Sequence, residues 1–242
     1  KVDLKAASKY NIAIARTTGA NTVGVAEMAL TLMLAANRQL KKNMSYVAEG
    51  NWVKKVTHEI TGSTVGIVGF GAIGQYVAKL LKGFDCNLIA YDPYPNHKVA
   101  EELGVKMVSL EELFKTADTV TVHVPYTPET HNLINLELMK TMKPSAVIVN
   151  TARGNIINEA DLYEALSKNI IAGAGLDVFA VEPLPLDSPL LKLDNVILTP
   201  HTSSQTEESL WRIYEMAIDI TADFFEGKES RHILNPDYKA QK

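Results

Sequence analysis

The chain has 242 residues, enough for one large domain or one domain with part of another, and its 46% hydrophobic share is ample for a core. The formal net charge is −4 and the 24 Lys and Arg residues are scattered rather than gathered into a stripe, which argues against a nucleic-acid partner. The single cysteine, Cys86, excludes an intrachain disulfide and fits a reducing, cytoplasmic setting. Met28 to Ala36, the most apolar helical stretch, falls far short of the roughly twenty residues of a membrane span, and the opening Lys1-Val2-Asp3-Leu4-Lys5 has no signal-peptide pattern.

In chain order, Asp3 to Tyr10 suggests a short helix and Ile12 to Ala15 a short strand, neither with a local partner for its apolar face. After the polar turn Thr17 to Asn21, a long helix places Val25, Met28, Ala29, Leu32 and Ala36 on one face. It closes in the basic cluster Arg38, Lys41 and Lys42, which suits a helix C-terminus. Asn43 to Gly62, with Trp52 in it, reads as a connector with room for a short helix.

Thr64 to Asp92 is the most informative stretch. A β-branched run enters Gly69-Phe70-Gly71-Ala72-Ile73-Gly74, a G-x-G-x-x-G. Val77, Leu80, Leu81 and Phe84 then recur at helical spacing, and Leu88 to Tyr91 form a second apolar strand ending in Asp92. In such a turn Gly69 permits the tight bend, Gly71 lets the backbone approach a pyrophosphate, and Gly74 lets helix pack on strand. The helix opening near Ala72 aims free amides and its positive dipole end at the phosphates. Asp92, eighteen residues after Gly74, is placed to accept ribose hydroxyls. Its charge, followed by Pro93-Tyr94-Pro95 with no arginine, favours NAD over NADP.

The alternation continues. Ser109 to Glu112 is a capping box before a short helix, Thr119 to Val124 a strand, and Tyr126 to Thr130 a turn. Asn135 begins a helix, Ala146 to Asn150 is a strand, Asn158 caps the helix Glu159 to Ser167, and Ile171 to Val178 is a strand. A proline-rich loop, Glu182 to Pro189, precedes the strand Val196 to Thr199, and a last helix runs from about Thr206 to Phe225. Apolar strands alternating with helices indicate an α/β fold, a Rossmann-type doubly wound parallel sheet covered on both faces.

Ligands of such sheets sit beyond the carboxyl ends of the strands. Arg153, Glu182 and His201 arise there after three separate strands. Arginine offers a planar fork for a carboxylate or 2-oxo acid. Histidine exchanges a proton near neutrality, and a neighbouring glutamate holds the ring and favours its charged form. Taken singly, each has a plainer reading: Arg153 as a salt-bridge partner, Glu182 as a solvated loop charge, His201 as a cap. Their joint placement beside a dinucleotide turn points to a site. His123, in Val122-His123-Val124-Pro125, is at another strand exit and lines the cofactor cleft.

From about Val2 to Pro236 the chain resembles the D-isomer-specific 2-hydroxyacid dehydrogenases. The resemblance lies in Val68 to Gly74 with Asp92, Asn150-Thr151-Ala152-Arg153-Gly154, Gly175-Leu176-Asp177-Val178-Phe179 with Glu182-Pro183, and Thr199-Pro200-His201. It implies Arg153 as substrate anchor, His201 as acid/base and Glu182 as its partner, with no metal. It further implies that Ala72, Ile73, Asp92, Val124, Thr151, Ala152 and Asp177 contact NAD, that Asn21 lies near a hinge, and that the protein is a homodimer. Residues 1–22 are then expected to be the remnant of a flavodoxin-like substrate domain, 23–204 the NAD-binding domain, and 205–242 a helix and tail returning toward the substrate domain. The substrate domain's start, with the loop that grips a carboxylate, is expected to be missing. After His201 the family has an apolar residue and then Ala or Gly, where this chain has Thr202-Ser203-Ser204. Two other classes share the fold: NAD-sensing corepressor-like proteins, and other Rossmann enzymes such as methyltransferases.

Overall fold

The computed structural model describes residues 2–239. Residues up to Gly24 together with those from Ser204 onward form one compact unit, and Val25–Ser203 form the other.

The larger unit is built on seven strands: β1 (Thr64–Val68), β2 (Asn87–Tyr91), β3 (Val105–Met107), β4 (Thr119–Val122), β5 (Val147–Asn150), β6 (Gly173–Leu176) and β7 (Val196–Leu198). Their order is β3-β2-β1-β4-β5-β6-β7, and every neighbouring pair is parallel. The order reverses between β1 and β4, which opens a crevice at their carboxyl ends.

Side-chain alternation divides the core into two layers. Val120 and Val122 of β4 and Ile148 of β5 pack with α6 (Leu110–Thr116) and α8 (Glu159–Ser167). Val65 and Ile67 of β1 and Val149 of β5 pack with α2 (Thr22–Asn37) and α4 (Ala72–Leu81). Thr119 faces the second layer, where its hydroxyl accepts a hydrogen bond from the buried Asn37 amide at 2.9 Å. Two strand glycines let helices approach closely. A Cβ on Gly66 would lie 2.6 Å from Leu113 Cδ2, and one on Gly175 would lie 2.9 Å from Leu32 Cβ.

The expected long helix after Thr17–Asn21 is two helices. α2 ends at Asn37, Gln39 turns left-handed at φ 46°, and α3 (Leu40–Ala48) follows. The basic residues Lys41 and Lys42 therefore start α3 rather than close α2, and they reach the β6–β7 connection through Leu193 O at 2.7 Å and Asp194 at 3.8 Å. α5 (His97–Leu103) and β3, absent from the sequence reading, complete the sheet edge. The remaining elements fall where the pattern put them, including α7 (Leu136–Met139), with boundaries moved by one to three residues.

In the smaller unit α1 (Leu4–Lys9) starts on Asp3, whose carboxylate accepts the Ala6 amide. Ile12 to Ala15 is not a strand. It makes a single bridge, Ala15 with Ile233; the Ile12 amide closes α1 by donating to Ala7 O at 2.9 Å, while Leu234 N donates to Ile14 O at 2.7 Å and the buried Asn235 bonds Ile14 N, Ile12 O and Ser8 Oγ. The amino-terminal segment, without a local partner in the sequence, finds one at the far end of the chain. α9 (Glu207–Phe225) starts on Thr206, as expected.

Gly66→Ala is expected to lower unfolding stability by about 1–3 kcal/mol, because the added methyl forces Leu113 and α6 away from β1. Urea denaturation measures it; a midpoint equal to the parent's would show that α6 yields freely.

Candidate functional site

Helices α5 to α9 each begin on Asn, Ser or Thr, whose side chain accepts a first-turn amide. α4 begins on Gly71, which has no such group, so its first amides remain available. Gly69 has φ +97°, and a Cβ there would lie 2.6 Å from Val124 N and 2.7 Å from His123 C, so the turn is seated against the β4 exit. A Cβ on Gly74 would meet Gly69 O at 2.2 Å. Gly71 differs from both: open space lies before it. Two glycines are thus required by packing, while the middle one leaves an open cradle into which a pyrophosphate would fit.

Asp92 is tied to the same turn. Its Oδ2 accepts the Phe70 amide at 2.7 Å and its Oδ1 the Tyr94 amide at 2.9 Å. Each oxygen keeps a further lone pair for a ribose hydroxyl. Gly71 and Ala72 are exposed and Ile73 is half-buried.

Across the crevice, His123 Nε2 is 2.9 Å from Thr121 Oγ1, and its Nδ1 is enclosed without a partner. Burial lowers the His123 pKa to about 3, so the ring is neutral and is no acid catalyst. Val124 is buried and Pro125 exposed beside it. Thr151 Oγ1, at the β5 exit, is likewise buried without a partner. Orphaned polar atoms at two adjacent strand exits, with the open cradle at Gly71, fit a bound dinucleotide.

The turn after β5 is shaped by Asn150, whose side chain accepts the Ala152 amide and donates to Arg153 O. Gly154 then lies against the chain after β6, where a Cβ would be 1.9 Å from Phe179 C. Glu159 Oε2 accepts the Ala180 amide at 3.0 Å and holds the same contact. This docking brings the segment that carries Glu182 beside the Arg153 turn.

Glu182 Oε1 accepts the Phe179 amide at 3.0 Å, and its Oε2 lies 2.7 Å from His201 Nδ1. Burial pushes the Glu182 carboxyl up. The hydrogen bonds from His201 and Phe179 and the charges of His201 and Arg153 outweigh it and hold the carboxyl below its usual range. The pair is partly open, with the His201 side chain 43% exposed, and borders a pocket of about 520 Å³ walled by Phe179, Pro183, Leu184, Leu198 and Pro200.

Asp177, which the resemblance places beside the cofactor, is fully buried in the free chain and bonds to Thr199, Thr202 and Ser203 around His201. Asn150, Thr199 and Ser203 escaped the sequence reading. The polar run after His201 was the visible trace of two of these bonds. Among the described residues no group of three or more His, Cys, Asp or Glu is placed to hold a metal ion, and no helix is long and apolar enough to cross a membrane.

Residues 30–203 match the family model for the D-isomer specific 2-hydroxyacid dehydrogenase NAD-binding domain. The chain is 40% identical to a glyoxylate reductase of Korarchaeum cryptofilum, over 98% of this chain and 73% of that one. It is 46% identical to a D-3-phosphoglycerate dehydrogenase of Methanocaldococcus jannaschii, over 97% of this chain and 45% of that one. An NAD-dependent formate dehydrogenase from Staphylococcus aureus, solved in complex with NAD, superimposes with a TM-score of 0.86 at 38% identity, covering 96% of this chain and 71% of that one. The chain thus belongs to the D-isomer-specific 2-hydroxyacid dehydrogenase family, and residues 30–203 match its NAD-binding domain.

Proposed function

We propose that this chain carries the cofactor site and the acid–base pair of an enzyme that interconverts a D-2-hydroxy acid and its 2-oxo acid. The observation that carries the reading is the 2.7 Å contact between His201 Nδ1 and Glu182 Oε2, with the Arg153 charge acting on the same carboxylate. It favours an enzyme over a corepressor-like binding protein, because binding alone has no need of an oriented, partly open imidazole.

The amides of Ala72 and Ile73 at the glycine turn would hold the dinucleotide's pyrophosphate, and Asp92 its adenosine ribose. His123, Val124, Pro125, Thr151 and Ala152 line the crevice. When bound, NADH would supply the hydride that the substrate carbonyl carbon accepts. Arg153 holds the substrate carboxylate and polarises its carbonyl. His201, with Nδ1 tied to Glu182, presents Nε2 to the carbonyl oxygen and delivers the proton; in oxidation the neutral ring takes it back. Asp177 acts through the loop that it holds. The substrate belongs to the glyoxylate, hydroxypyruvate or phosphoglycerate class acted on by the relatives.

A homodimer and a cytoplasmic location belong to the same reading. Exposed Leu40, Met44, Val47, Trp52, Val53 and Val56 along α3 and the segment after it supply apolar surface suited to a second copy.

Gly71→Val separates cofactor binding from folding. The side chain enters open space, so the thermal midpoint is expected to stay near the parent's while NADH affinity falls at least about tenfold, or about 1.4 kcal/mol. Fluorescence titration reads the affinity, and unchanged binding would move the pyrophosphate elsewhere.

NAD(H) is expected to bind at least about tenfold more tightly than NADP(H), because the Asp92 charge repels a 2′-phosphate. Equal dissociation constants would remove Asp92 from that role.

Since the Glu182 carboxyl is held below the usual carboxylate range, it stays ionised in mild acid and can keep its bond to the ring. Glu182→Gln keeps the shape and removes the charge. Reduction is expected to fall by up to about 10²-fold, with its alkaline loss setting in at lower pH. Oxidation, which needs the neutral ring, loses less. The measurement is kcat/KM against pH in both directions; profiles that merely drop in height would show that Glu182 does not tune His201.

A further inference from the structure

Asp177 leaves the end of β6 and is 0% exposed. A buried carboxylate is tolerated only with its lone pairs matched by donors. All of its donors come from one five-residue loop. Thr199 Oγ1 donates to Oδ1 at 2.6 Å, Thr202 donates its amide at 2.8 Å and its hydroxyl at 3.4 Å, and Ser203 donates both amide, at 2.9 Å, and hydroxyl to Oδ2. Each donor is a neutral group, so hydrogen bonding alone holds the side chain in place.

His201 stands in the middle of that loop. Its backbone is left-handed, φ 53°, a conformation a side chain with a Cβ rarely adopts, and its amide donates to Thr199 O at 3.0 Å. Such a conformation persists only where the surroundings over-determine it. Here the surroundings are the Asp177 carboxylate, gripped on one side of His201 by Thr199 and on the other by Thr202 and Ser203. With the loop wound around the carboxylate, the ring is directed to Glu182.

We propose that Ser203 is a positioning residue for the acid/base histidine: its hydroxyl completes the clamp on Asp177 that fixes the left-handed turn at His201 and so aims Nδ1 at Glu182. This rests on the reading of His201 as the acid/base. Ala in place of Ser203 leaves Oδ2 with one donor in a site closed to water. The carboxylate then draws on another donor, and the turn relaxes with it.

The test uses the whole chain, with NADH and glyoxylate as probes, and compares Ser203→Ala, Ser203→Thr and Thr199→Val with the parent. The proton on His201 Nδ1, hydrogen-bonded to Glu182, gives a downfield proton resonance that reports the pairing directly; Glu182→Gln identifies it. In Ser203→Ala that resonance is expected to shift upfield or vanish, kcat to fall about tenfold and the NADH dissociation constant to stay within about twofold. Ser203→Thr, which keeps the hydroxyl, is expected to restore resonance and kcat. A merely structural Ser203 would lower the thermal midpoint and leave the resonance in place, which overturns the proposal. If Ser203→Ala fails to fold, Thr199→Val decides, since it removes a donor from the other arm of the same clamp. Failure of the underlying reading looks different: a resonance indifferent to Glu182→Gln sinks the His201–Glu182 pairing, whereas one that responds to Glu182→Gln but not to Ser203→Ala or Thr199→Val sinks the clamp alone.

Discussion

Three places where one backbone lies too close to another for any Cβ hold the site in register. Gly69 is pressed on the His123–Val124 peptide, Gly74 on the Gly69 carbonyl, and Gly154 on the Phe179–Ala180 peptide. The first ties the β1 exit to the β4 exit, the second fixes α4 to β1, and the third joins the turn after β5 to the segment after β6. Side-chain packing adjusts to a lost or added methyl by rotamer changes. Backbone on backbone has no such freedom, so these contacts fix where Asp92, Arg153 and Glu182 stand.

On that frame the exit of β6 carries two carboxylates five positions apart, Asp177 and Glu182, in opposite surroundings. Asp177 is sealed from water and bonded only to neutral donors, and it organises the backbone around His201. Glu182 is partly open and meets a titratable ring and the Arg153 charge. One acid is bonded to the loop that carries the histidine and the other to the histidine ring itself. Environment divides the labour, as it does wherever two like groups share a site.

What the sequence showed of this follows from the range of the interaction concerned. Ser109, Asn135, Asn158 and Thr206 were legible because a cap is a bond between a side chain and an amide three residues on. The strand β1 and the glycine turn were legible because the turn's chemistry is written in consecutive residues. Ile12 to Ala15 misled because its partners, Ile233 to Asn235, lie at the other end of the chain, where no periodicity reports them. The break at Gln39 gave no sign, since a left-handed residue that is neither Gly nor Asn has no compositional marker. β3, at three residues, is too short to show alternation. In the site, Arg153, Glu182 and His201 were legible from strand exits alone, whereas the holding of Asp177 by Thr199 and Ser203 depends on how a loop folds back.

The uncapped start of α4 shows how the fold and the cofactor share one account. Ser, Thr, Asn or Asp at the Gly71 position would satisfy an amide, and glycine forgoes that bond at a cost of only a few tenths of a kcal/mol. NAD present at about 100 times its dissociation constant stabilises the folded chain by about 2.7 kcal/mol. The second quantity exceeds the first several-fold, so an N-cap that is second best for the free protein is the better one for the complex. A side chain at Gly71 would satisfy an amide that the pyrophosphate needs and fill the space that it enters. The same comparison extends to His123 Nδ1 and Thr151 Oγ1, each left enclosed without a partner at the crevice. A buried polar atom without a hydrogen bond costs about 1–3 kcal/mol, which a ligand able to reach it recovers on binding. On the proposed reading the free fold holds its deficits beside the glycine turn, where a bound dinucleotide would complete the hydrogen bonding of the crevice.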